Sequence, residues 1–272
     1  MYRIFIRPFV RGMKPEKASR VALSYFRLIG KIPGGRLINR LVHRNRAYGL
    51  QREVFGLEFY NPLGLGAGLD RRGDLYNDLE DFGFSFVEIG PLDLDGTRHA
   101  IANLQKEPHD DILAACISKD IATCFSLAYD FCDMFVIDMS GGLDPAVLDQ
   151  IMDIRLTYDE YKPVIIKVSE HIGQQELTVV LEYCMLNGVD GIQVRKAQDV
   201  VLVNEISSGR FPVMANCHIK SPVQAAELLE AGASLIEIQS ALVAEGPGFV
   251  RKILSYLEKH FKNAQIAANE PS

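Results

Sequence analysis

From residue 61 onward the chain repeats one pattern. Short, nearly continuous apolar runs alternate with longer stretches of helical spacing. The runs are PLGLGA (62–67), FSFVEIG (84–90), ILAACIS (112–118), MFVIDMS (134–140), PVIIKVS (163–169), DGIQVR (190–195), PVMANC (212–217) and SLIEIQ (234–239). Intervals such as QQELTVVLEYCMLNG and SPVQAAELLEAGA place apolar residues three and four apart, the spacing of an amphipathic helix. Strands without polar alternation are covered on both faces, and strand–helix units repeated eight times predict a parallel (β/α)8 TIM barrel. A doubly wound open sheet is the alternative. Eight units with no obvious edge strand favour closure. Before the rhythm starts, LQREVFGLEFYNP alternates around Gly56 and predicts a short β-hairpin at the barrel bottom. Further upstream, residues 14–30 predict a helix with Pro15 in its first turn and one face of Ala18, Val21, Ala22, Tyr25, Leu28 and Ile29. GGRLINRLVH predicts a second short helix, so the two form a cap without a core of its own. The expected division is a membrane-associating helical segment at 1–46, the barrel at 47–265 and a disordered tail at 266–272.

The charge distribution changes this picture. The net charge of −6 conceals 13 Lys or Arg against the single acid Glu16 in residues 1–52, which leaves that segment at +12 and the remainder at −18. A basic arm that also carries Tyr2, Ile4, Phe5, Ile6, Phe9 and Val10 suits an anionic membrane surface better than nucleic acid. An arm docked on the acidic body of its own chain is the competing reading. No apolar run approaches the length of a membrane-spanning helix, and Arg3, Arg7 and Arg11 interrupt any signal-peptide core. The expectation is a cytoplasmic protein, peripheral on the inner face of the membrane. Five cysteines with no CxxC pair read as reduced thiols, and the histidines show no metal-ligand spacing.

In a barrel of this kind the chemistry lies at the C-terminal ends of the strands. The stretch FYNPLGLGAGLDRRGDLYNDLEDFGFSFVEIG resembles the first two strands of dihydroorotate dehydrogenases. RPFVRGMKPEKASRVALSYFRLIG resembles the helical extension of their class 2, membrane-associated branch, and AGASLIEIQSALVAEGPGFVRKI their last strand and helix. The resemblance implies a barrel carrying flavin mononucleotide (FMN), oxidation of dihydroorotate to orotate in pyrimidine biosynthesis, and a quinone as electron acceptor. It also implies the residues that would hold FMN here: Ala67, Gly68, Arg71, Lys167, Gln239 and Ser240.

At several positions the chain departs from the family pattern. The family's base is the second serine of an N-x-S-S-P-N-T run after the fourth strand. Here the run is DMSGGLD, so the base position is Gly141, Asp138 stands for the first asparagine, and Ser140 is the only nearby hydroxyl. The N-R-M-G-F-N-N-like run that holds the pyrimidine is absent, and an asparagine after the third strand is Cys116, a thiol on the wrong strand to replace the base. The phosphate glycines of I-G-V-G-G-I are Ala215, Cys217 and His218 within MANCHI. Lys167 is kept, and Asp138 beside it suggests an internal ion pair. Arg71, Arg195, Lys196 and His218 are candidates for a cationic pocket, or for a self-satisfied cluster. The expectation is a catalytically impaired homologue, a pseudoenzyme of an oxidoreductase family. The alternatives are an active FMN-dependent enzyme with a remodelled pocket and a barrel binding another anionic ligand.

Overall fold

The computed structural model describes residues 2–269 apart from 11, 33 and 44–48. Strands β1 (Arg52–Val54) and β2 (Leu57–Phe59) form an antiparallel hairpin. Eight parallel strands follow: β3 (Leu63–Leu65), β4 (Phe86–Leu92), β5 (Ile112–Ile117), β6 (Met134–Asp138), β7 (Val164–Lys167), β8 (Gly191–Val194), β9 (Val213–Ala215) and β10 (Leu235–Ile238). Each pairs with the next, and β10 pairs with β3, closing the barrel. All eight apolar runs are therefore strands in the expected order, and the open sheet is excluded.

The apolar residues divide into two sets because successive strand side chains face opposite ways. One set lies between strands and surrounding helices. The other fills the barrel interior with Phe86, Met134, Val136, Ile165, Met214 and Leu235, and the hairpin residues Val54 and Phe59 close it from below. Phe86 fits because its neighbour on β3 is Gly64, whose missing Cβ leaves room for the aromatic ring. The hairpin turns through Phe55 and Gly56, both with positive φ (57° and 77°), the conformation that matches the twist of paired strands.

The N-terminal cap consists of short helical turns at Tyr2–Phe5 and Arg7–Val10 and helices at Pro15–Lys31 and Gly35–His43. Pro15 occupies the first turn as expected. The buried stripe of the long helix differs from the expected face: Ala18, Ala22 and Phe26 are buried, whereas Leu28 is 62% exposed. Phe26 sets this rotation. Its ring packs edge-on against Phe82 at 5.0 Å and stacks on Tyr2, so the helix turns toward the 18/22/26 row. The cap is held to the body by charge. Arg36 and Arg40 converge on the fully buried carboxylate of Asp81, Arg36 also reaches Glu107 and Asp110, and Arg7 pairs with Glu245. The C-terminal helix spans Gly248–Asn269, overlapping the expected tail, of which residues 270–272 lie outside the described residues. The expected boundary at 46/47 lies outside them as well.

Candidate functional site

The registers of β6 and β7 bring Asp138 and Lys167 side by side at the strand ends. Lys167 Nζ donates to Asp138 Oδ2 at 2.8 Å, with the side chains 12% and 16% exposed. Burial alone would raise the Asp138 pKa, but hydrogen bonds from Lys167 and Ser140 outweigh it and hold the carboxyl below its usual range. Burial likewise opposes the Lys167 ammonium. The neighbouring Cys116, Glu88 and Asp138 reverse that effect and raise its pKa. The pair is thus fully ionised, as expected for charges that cannot be left single in a low-dielectric site.

Beneath it the inward positions are polar. Gln193 Nε2, on β8, donates to Glu88 Oε2 of β4 and to Glu237 Oε2 of β10, both at 2.8 Å. All three residues are buried. Burial, reinforced by Glu88, raises the Glu237 pKa well above the carboxylate range, which favours its neutral form beside Glu88. The Cys116 thiol is also held neutral, by burial first and then by Glu88. Asn216 reaches in from the end of β9 and hydrogen-bonds Glu237. This layer was not singled out from the sequence. The signal was available: Glu88, Gln193 and Glu237 are the polar residues at the centre of VEIG, GIQV and LIEI, and a central polar residue in a buried strand faces either a partner or a ligand.

The glycines after β3 do not offer open backbone. The space a Cβ would take at Gly66 is filled by Asn216 and Glu237, and at Gly68 by the amide of Gln239. Ala67 packs on the barrel interior. Arg71 is exposed and bonds the carbonyl of Gly68 through Nε at 3.3 Å. Ser240 is exposed at the start of the short helix Ser240–Glu245. Of the six expected cofactor residues, three are therefore linked to one another, with Arg71 and Gln239 both on Gly68, and Lys167 is committed to Asp138.

The base position is empty of side-chain chemistry. Apart from Gly141 and its two chain neighbours, no heavy atom lies within 4 Å of the place where a Cβ of Gly141 would stand, and Gly142 turns through φ 118°. Ser140 is exposed, and its amide donates to Asp138 Oδ1 at 3.0 Å. The recess beside this loop measures about 20 Å³, room for about one water molecule.

In the 215–218 run, His218 adopts φ 50°, the left-handed conformation that glycine adopts without cost. The loop thus makes a glycine-like turn while carrying an imidazole. His218 Nε2 lies 3.2 Å from Arg195 Nη2, and Glu170 approaches both at 3.8 and 3.6 Å. Lys196 turns instead to the Ile172 carbonyl at 3.2 Å and to Asp199. The four expected cations do not share one pocket: Arg195 and His218 surround Glu170, while Lys196 and Arg71 have their own acceptors. Among the described residues no group of His, Cys, Asp or Glu is arranged to hold a metal ion, and the five cysteines are free thiols. A cavity of about 620 Å³ lies between cap and barrel, lined by charges of both signs that include Arg27, Lys31, Asp74 and Asp78.

No family model matches the chain. It is similar to the dihydroorotate dehydrogenase (quinone) of Christiangramia forsetii, at 24% identity over 331 residues, covering 93% of this chain and 97% of that relative. The enzymes of the same name from Escherichia coli strains are 22% identical over 341 residues, covering 94% of this chain and all of theirs. These alignments are longer than the 272 residues of this chain, so the relatives carry segments it lacks. Among solved structures, DHODH from Eimeria tenella in complex with ferulenol superposes with a TM-score of 0.71 at 15% identity, over 85% of this chain and 92% of that one. The ligand-free form gives 0.71 at 16% identity.

Proposed function

We propose that the chain is a divergent member of the dihydroorotate dehydrogenase (quinone) family that keeps the family's barrel and cap without its catalytic reaction. One observation carries this reading. The position of the proton-abstracting serine is Gly141, which has no side chain, and beyond its two chain neighbours nothing stands within 4 Å of where a Cβ would lie. Oxidation of dihydroorotate requires a base at C5 while hydride leaves C6, and a base must lie within hydrogen-bond reach of its proton. Ser140 does not supply one. It is exposed, and the carboxylate beside it is a weak base, because Lys167 and Ser140 itself stabilise its ionised form.

The family's cofactor is FMN, which when bound supplies the hydride acceptor. The residues present here fit it poorly. Backbone that a ring or phosphate would approach is covered by Asn216, Glu237 and Gln239, and Cβ atoms stand at three phosphate-glycine positions. Lys167 is neutralised by Asp138, so no free cation waits for a reduced flavin's charge. A quinone is equally disfavoured in the 620 Å³ cavity, whose lining is charged. The reading is therefore a non-catalytic barrel that serves as a binding or structural protein.

Its place is the cytoplasmic face of a membrane, held peripherally by the cap. Ile4, Phe5, Phe9, Leu37, Ile38 and Leu41 are 60–77% exposed, an apolar surface that a monomer in water does not ordinarily present. No helix among the described residues is long and apolar enough to cross a bilayer. Part of the arm's charge is already spent on the body, at Asp74, Asp81 and Glu245, so the apolar residues rather than the arginines dominate this contact. The test is dihydroorotate oxidation by the full chain with added FMN and a short-chain quinone. No turnover above the protein-free control is expected. Turnover abolished by S140A would overturn the reading in favour of an active enzyme with a remodelled pocket.

A further inference from the structure

The C-terminal helix carries a second charged feature. A groove of about 530 Å³ runs along it, lined by Gly248, Arg251, Lys252, Ser255, Tyr256 and Lys259. Helical spacing accounts for the furrow. Arg251, Ser255 and Lys259 form one i, i+4, i+8 row, and Gly248, Lys252 and Tyr256 form the adjacent one. The buried row of Val250, Ile253, Leu254 and Leu257 holds the helix on the barrel, so the groove stripe faces outward. No carboxylate is among these lining residues. Arg251, Lys252 and Lys259 are exposed, and none has a hydrogen-bond or ion-pair partner among the described residues. In the cap, Arg7, Arg36 and Arg40 are paired with body carboxylates, whereas Lys14, Lys17, Arg20 and Lys31 have no ion-pair partner among the described residues. On a body that is otherwise acidic, three unpaired cations around a concave, Ser- and Tyr-bearing surface match an anion with several acceptor oxygens.

The position selects the source of that anion. Helix 35–43 packs on this same C-terminal helix, and it exposes Leu37, Ile38 and Leu41. The exposed apolar residues and the cations thus lie on two helices that touch each other. We propose that the 251–259 groove binds the phosphate headgroup of an anionic phospholipid, giving the peripheral contact a lipid preference. This rests on the membrane reading above.

The experiment is vesicle co-sedimentation of the full chain, using phosphatidylcholine alone and phosphatidylcholine containing phosphatidylglycerol. Wild type should bind the anionic vesicles more tightly, and R251Q/K252Q/K259Q should lose on the order of 100-fold of that affinity, from three surface cations. A charge-matched control, R72Q/K119Q/K220Q, should lose far less, and circular dichroism should show both variants folded. Equal losses in both variants would overturn the groove while leaving the membrane reading intact. Failure of wild type to bind either vesicle would overturn both. Equal binding of wild type to both vesicles, together with saturable binding of inorganic phosphate that R251Q/K252Q/K259Q loses, would assign the groove to a free anion and overturn the lipid proposal.

Discussion

At the scale of single residues, the ion pair of Asp138 and Lys167 decides what the strand ends can do. A lysine ending an apolar strand needs an anion, and here the chain supplies it at 2.8 Å from the next strand. Asp138→Asn should cost roughly 3 kcal/mol in urea unfolding, because it leaves a largely buried ammonium without its partner. The double variant D138N/K167M should recover most of that loss. If D138N is as stable as wild type, the pair does not hold this end of the barrel together. His218 makes a related point about how substitutions accumulate. Its backbone sits at φ 50°, a conformation that costs a non-glycine residue about 1 kcal/mol. The strained backbone carries an imidazole that is accommodated by Arg195 and Glu170.

At the scale of elements, the cap is docked as well as exposed. Helix 35–43 is fixed through Arg36 and Arg40 on Asp81, whose side chain is 0% exposed. Asp81→Asn removes the shared anion from two partly buried guanidinium groups. It should destabilise the chain by about 3 kcal/mol and speed tryptic cleavage within residues 12–43. Cleavage at the wild-type rate would mean that apolar packing alone docks the helix. The strands were legible from the sequence because each is short, apolar and bounded by polar residues, so all eight are found within a few residues of their expected positions. The face of the long cap helix was less legible. Leu28 fits the helical period, but the size of Phe26 and the presence of Phe82 and Tyr2 decide which row is buried, and those contacts join segments far apart in the chain. The polar layer of Glu88, Gln193 and Glu237 was missed for the same reason: three unremarkable strand residues become one network only when the barrel closes.

At the scale of the whole molecule, buried acids shape the pH response. Burial, aided by Asp111, raises the Glu80 pKa to about 8, and burial raises Asp78 to about 6. A carboxyl whose folded pKa is raised stabilises fully below its unfolded value, and the contribution is lost as pH rises through the folded value. Stability should therefore fall by about 2–3 kcal/mol between pH 6 and pH 9 from Glu80 alone, and E80Q should flatten most of that slope. A wild-type slope unchanged in E80Q would assign the pH response elsewhere. Asp138 works in the opposite sense. Its depressed pKa means that its contribution is lost on acidification through the carboxylate range. The account as a whole depends on the strand ends being filled by the chain's own side chains at Asn216, Glu237 and Gln239 and on Lys167 being paired with Asp138, although Glu88, Gln193 and Glu237 each keep one buried oxygen without a hydrogen-bond partner. The most direct measurement is FMN binding by the purified full chain, read as flavin absorbance after gel filtration and as heat on titration with FMN. The account predicts a colourless protein and no saturable heat. One FMN retained per chain through gel filtration would contradict it.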